Sequence, residues 1–176
     1  NTGNDHTNDY LVLDTVSTTS WSSGTDLYGG SWSSDPYTIT QVYSWNSAEG
    51  CYTYVYRVTN GYQVDADGKP VLDADGNPVP LTQDIDPFAG GTFAIKTTGS
   101  GEDIFGNDTS TTTWITFQVV RGKLVTIRTE SVTTGTDVLG NSTESHSITV
   151  NNYKWRNKTT HEENTGNDHT NDYLVL

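Results

Sequence analysis

The chain has 176 residues, with 22 acidic against 9 basic side chains and a formal charge of −13. That balance excludes recognition of a nucleic-acid backbone, which needs a surplus of Lys and Arg on one face, and it disfavours anionic membranes. Only 32% of the residues are hydrophobic, yet 5 Trp, 10 Tyr and 4 Phe are too many for a disordered acidic tail, so a single folded domain is expected.

The first segment, Asn1–Leu13, is a polar leader that ends in the apolar run Tyr10-Leu11-Val12-Leu13. Such a run suits a β-strand buried on both faces. The same thirteen residues, NTGNDHTNDYLVL, recur without a change as Asn164–Leu176, so Tyr173-Leu174-Val175-Leu176 repeats the apolar run. A terminus of this kind needs a groove, because each large side chain left in water forfeits about 1.5–3 kcal/mol. The chain therefore divides into a leader and donor-type strand at 1–13, a β-domain at 14–155, and a polar tether with the second strand copy at 156–176.

Next come two echoes, Ser20-Trp21-Ser22-Ser23 and Ser31-Trp32-Ser33-Ser34, around a Gly-rich connection that contains Tyr28. Rings held among Ser and Gly have two readings. Trp21, Tyr28 and Trp32 form a platform for the faces of a sugar, with Asp26 or Asp35 accepting from its hydroxyls, or they fold back and plug one end of the core.

From Tyr37 onward the apolar residues alternate. Tyr37-Ile39-Gln41-Tyr43-Trp45 and Tyr52-Tyr54-Tyr56-Val58 predict half-buried strands, and others are expected at 91–97, 112–120, 123–132 and 146–155. Arg121-Gly122 predicts a tight hairpin turn. No segment carries a helical apolar stripe. The expected fold is all-β, a two-sheet antiparallel sandwich of immunoglobulin-like or jelly-roll type, with a small β-barrel as the alternative.

Between the second and third of these strands lies a short tandem repeat, Val64-Asp65-Ala66-Asp67-Gly68 and Leu72-Asp73-Ala74-Asp75-Gly76, followed by Asp84 and Asp86. Asp65, Asp67, Asp73 and Asp75 are either acidic turn residues or candidate Ca²⁺ ligands, although a full calcium loop is absent. Sequons at Asn107, Asn141 and Asn157 are candidate glycosylation sites. The lone Cys51 forms no intrachain disulfide and is expected to be a small buried hydrophobe. No Gly-x-Ser-x-Gly elbow, His-Glu-x-x-His pair or phosphate-cradling loop is present, so no enzymatic activity and no obligate cofactor are expected.

The terminal organisation, a polar leader and short apolar strand at Tyr10–Leu13 with the same strand at Tyr173–Leu176 behind a polar segment, resembles donor-strand-complemented pilus and surface-filament subunits. It is also similar to self-complemented versions of them. The resemblance implies an extracellular, cell-surface structural subunit whose partner is another copy of itself, joined by exchange of a terminal strand. A repeat domain of a tandem-repeat adhesin and a carbohydrate-binding module are the alternatives.

Overall fold

The computed structural model describes residues 12–165 and 172–175. Twelve strands and no helices make up this part of the chain: β1 Thr15–Ser20, β2 Ser23–Thr25, β3 Ser31–Ser34, β4 Tyr37–Asn46, β5 Cys51–Thr59, β6 Gly61–Tyr62, β7 Gly91–Glu102, β8 Asp108–Val120, β9 Lys123–Thr136, β10 Ser142–Val150, β11 Lys154–Asn157 and β12 Asp172–Val175.

They form a large sheet in the order β10-β9-β8-β7-β3-β2, with β6 also paired to β7, a small sheet β1-β4-β5, and a two-stranded ribbon β11-β12. Every pairing is antiparallel and none of the sheets closes, so the barrel alternative gives way to facing sheets. Tyr56 of the small sheet and Phe93, Ile95 and Val119 of the large one are the buried core, and Tyr37, Ile39, Tyr54, Val58, Phe117 and Leu124 pack against it. These are alternate residues along their strands, as a half-buried pleat requires.

A two-residue hairpin joins β8 to β9 at the expected place, with both Arg121 (φ 49°) and Gly122 (φ 75°) in the left-handed region. This turn also locks the sheets together. The hydroxyls of Tyr54 and Tyr56 on β5 each donate to the Gly122 carbonyl at 2.7 Å, and the Gly122 N–H donates to the Pro87 carbonyl. Burial, aided by the Tyr56 hydroxyl, pushes the Tyr54 phenol up to about 12.

The outer face of the large sheet is covered where the tandem Asp-Ala-Asp-Gly repeat lies. Val64 pairs with Pro70 and Leu72 with Pro78, giving two small hairpins in succession. The first presses Gly68 onto the sheet, where its carbonyl accepts from the buried Thr116 hydroxyl at 2.8 Å.

Four expectations need correction. Strands β7, β8 and β9 run beyond 91–97, 112–120 and 123–132, because Thr, Ser and Gly keep the chain extended after the apolar alternation ends. The expected strand 146–155 is two strands, β10 and β11, since Asn151 leaves the ladder after its N–H reaches the Ile127 carbonyl and its side-chain amide the Thr126 carbonyl. Cys51 is exposed rather than buried, at the free end of a hairpin. The start of the supposed tether is also structured: Arg156 and Asn157 belong to β11, and the Asn157 carbonyl accepts from His161 in a turn that brings Glu163 back beside Arg156.

Candidate functional site

The inner face of the large sheet changes character along its strands. Phe93 and Ile95 of β7, opposite Phe117 and Ile115 of β8, lie under the small sheet. Farther along the same face β7 carries Thr97, Gly99 and Gly101, opposite Thr113, Thr111 and Thr109. This half forms the floor of a cleft of about 440 Å³, whose other walls include Trp21, Trp32, Ser34 and Asp35. The floor hydroxyls are held in cross-strand pairs, Thr111 with Thr133 and Thr113 with Ser131, each at 2.9 Å.

Both tryptophans remain accessible, Trp21 at 66% and Trp32 at 51%. Trp32 sits opposite Gly24 on one side and Gly101 on the other. A Cβ at Gly24 would stand 2.6 Å from its ring, so the glycine is what lets the ring lie against the sheet. Trp21 occupies the bend where the paired strands β1 and β4 pass into the paired strands β2 and β3. That corner is tied by the Ser34 N–H to the Ser22 carbonyl and by the Ser22 N–H to the Ser34 hydroxyl. Asp35 accepts from the Thr98 hydroxyl through Oδ2, and its Oδ1 has no partner among the described residues. Trp21 and Trp32 thus meet at one cleft instead of plugging the core. Tyr28 does not join them, standing exposed in the turn between β2 and β3.

Of the terminal strands, Tyr10 and Leu11 lie outside the described residues, and Val12 and Leu13 are exposed just ahead of β1. The second copy is seated: Leu174 pairs with Trp155, Tyr173 with Arg156 and Val175 with Lys154, while Leu176 lies outside the described residues. Strand β12 therefore pairs with β11, not with a strand of either large or small sheet. Asp172 is buried and accepts from the Asn164 amide at 2.7 Å, and the Arg121 guanidinium lies 4.5 Å from the centre of the Trp155 ring. The ribbon consequently sits beside the Arg121-Gly122 turn. Asp14, just ahead of β1, lies at this same end, because its carbonyl accepts from the Tyr43 N–H, and Tyr43 is the neighbour of Tyr54 across β4 and β5.

The opposite end carries a surface that the sequence reading missed. Thr25, Ser31, Glu102, Asp108, Thr136 and Ser142 form one continuous row across the large sheet, and three hairpin turns project beyond it. Their sequences are Asp26-Leu27-Tyr28-Gly29-Gly30, Asp103-Ile104-Phe105-Gly106-Asn107 and Asp137-Val138-Leu139-Gly140-Asn141. Each Asp accepts N–H groups from the second and fourth residues after it, and the Gly takes positive φ. The two central residues of each are exposed apolar pairs, from 47% at Ile104 to 99% at Leu27. The signal was available as a fivefold Asp-x-x-Gly spacing, since Asp65–Lys69 and Asp73–Asn77 make the same turn with Ala and Asp at the centre.

Asp65 and Asp73 use one carboxylate oxygen each to hold these turns, while Asp67 and Asp75 are exposed at the tips. Among the described residues no three His, Cys, Asp or Glu side chains converge as a metal ion would require. Asn107 and Asn141 close two of the turns and donate to Asp103 and Asp137, and Asn157 opens the turn after β11. Hydrogen bonds from Asn107 hold the Asp103 carboxyl below the usual carboxylate range, and those from Asn141 do the same for Asp137. No family model, curated protein or solved structure matches the chain.

Proposed function

We propose that the protein is a structural subunit of an extracellular assembly, in which the Tyr10–Leu13 strand of one copy takes the place beside β11 of a neighbour that β12 takes within its own chain. The observation that carries this reading is the identity of the two thirteen-residue segments together with the pairing of the second copy to β11. Whatever backbone and side-chain groups β11 offers to one copy it offers equally to the other, so exchange replaces one set of contacts by an equivalent set. The choice between them is then set by effective concentration, which for a short flexible link lies in about the millimolar range and favours the strand of the same chain.

The three apolar hairpin tips support an assembly as well. Contiguous exposed apolar groups on a soluble domain mark a contact surface, and these stand at the end of the large sheet away from β11 and the first strand copy. One end of the subunit would then supply and receive strands while the other supplies an apolar contact. The acidic charge of each copy opposes close approach, so added salt favours assembly.

Deleting residues 164–176 tests the proposal. The truncated chain is expected to form concentration-dependent polymers, seen by sedimentation and negative-stain microscopy, because β11 then lies open to the Tyr10–Leu13 strand of a neighbour. A chain lacking residues 1–13 as well should form no polymers. A truncated chain that stays monomeric at millimolar concentration, or polymers that persist without both copies, would refute strand exchange.

A further inference from the structure

We infer that the cleft between Trp21 and Trp32 is a binding site for a neutral oligosaccharide, a site independent of the strand exchange proposed above. The inference rests on what this cleft offers and what it lacks. A pyranose ring presents two kinds of surface: faces of C–H groups that stack on aromatic rings, and a rim of hydroxyls that both donate and accept. The cleft supplies both partners, since two large rings remain accessible at its walls and its floor is lined with Thr hydroxyls.

Three features distinguish this cleft from an unfilled part of the core. The floor lies in line with core residues, yet Thr97, Thr111 and Thr113 stand where Phe and Ile stand nearer the small sheet, so the sequence turns polar where the cover ends. Gly99 and Gly101 deepen it: a Cβ at Gly101 would come 2.9 Å from the Ser31 carbonyl and 3.3 Å from the Trp32 Cβ. The Thr111 and Thr113 hydroxyls spend only part of their capacity on their cross-strand neighbours, and that of Thr97 donates to the Asp35 carbonyl, so all three keep acceptor sites for a ligand. The volume of about 440 Å³ falls within the range of about 300–1,000 Å³ usual for small-molecule sites and accommodates a segment of a few sugar units.

The charge of the cleft selects among sugars. Among the described residues its lining contains no Lys or Arg and one carboxylate, Asp35. Uronate, sulfate or sialate groups would meet that carboxylate and a chain of net charge −13 with no cation to compensate. A neutral glycan meets neither obstacle.

The test titrates the full chain with cellohexaose, maltohexaose, mannohexaose and, as the charged counterpart, an oligogalacturonate, following tryptophan fluorescence and isothermal heats. At least one neutral hexasaccharide is expected to bind with a Kd in about the millimolar range or tighter and to shift the fluorescence. Trp21→Ala is expected to weaken it at least about tenfold without lowering Tm, because Trp21 is mostly exposed. Trp32→Ala should weaken it similarly. Absence of binding by all three neutral sugars at ten millimolar, unchanged affinity in both Trp variants, or preferential binding of the oligogalacturonate would each overturn the assignment.

Discussion

At Gly122 one added methyl group should have a large effect for its size. Its φ of 75° lies where an L side chain costs about 1–2 kcal/mol, and a Cβ there would stand 2.7 Å from the Tyr54 hydroxyl. Tyr54 would have to move, and with it the 2.7 Å bond to the Gly122 carbonyl, which is worth about 0.5–1.5 kcal/mol. Gly122→Ala is therefore expected to destabilise the protein by about 2–3 kcal/mol. At about 2–4 °C per kcal/mol for a domain of this size, Tm falls by roughly 4–12 °C. Differential scanning calorimetry of the wild type, Gly122→Ala, Tyr54→Phe and the double variant separates the two contributions. In the Tyr54→Phe background the clash and the bond are already gone, so the alanine penalty should shrink to its backbone part. An alanine variant that melts within a degree of the wild type, or a penalty that is the same in both backgrounds, would show that the two sheets are not locked through this turn.

Other outcomes follow from the same structure. Thr116→Val keeps the shape of a buried side chain but leaves the Gly68 carbonyl without its 2.8 Å donor, so a loss of about 1–3 kcal/mol is expected in chemical denaturation, with Thr116→Ser close to wild type. Asp84, Asp103, Asp137 and Glu163 all have folded pKa values below their ordinary ones, Asp84 through Arg57 and Glu163 through Lys154. Their contribution is complete above the ordinary carboxylate range near pH 4 and is lost as the pH falls through the lowered values, so Tm should hold from pH 7 to about 4.5 and drop below it. An equal Tm at pH 2.5 and 7 would contradict this. Phe105→Asp combined with Leu139→Asp, on two adjacent hairpin tips, should reduce concentration-dependent association in light scattering while leaving Tm within about 2 °C, since both side chains are already in water.

Much of the fold was legible because its signals are local. Alternation in Tyr37–Trp45 and Tyr52–Val58 fixes a strand whatever lies beside it, and Arg121-Gly122 between Val120 and Lys123 fixes a tight turn. The strands β2 and β3 and the polar ends of β7, β8 and β9 were harder to see. Where one face is Thr and Gly and the other is Thr and Ser, the hydrophobic period of two disappears although the backbone continues unchanged. The terminal duplication was equally plain in the sequence, but not which strand would receive the second copy: β11 was expected to lie partly in a tether.

By itself, then, the sequence determined the β character of the chain, its principal reversals and the identity of its two end strands, because propensity, glycine stereochemistry and repetition act over a few residues. Tertiary structure alone decided that Trp21 and Trp32 flank one cleft while Tyr28 stands apart, that three apolar turns share one end, and that Thr116 is buried beneath Gly68. Those relations depend on the register of strands far apart in the chain. Register is set by the simultaneous packing of both sheets, a property that no short stretch of residues carries.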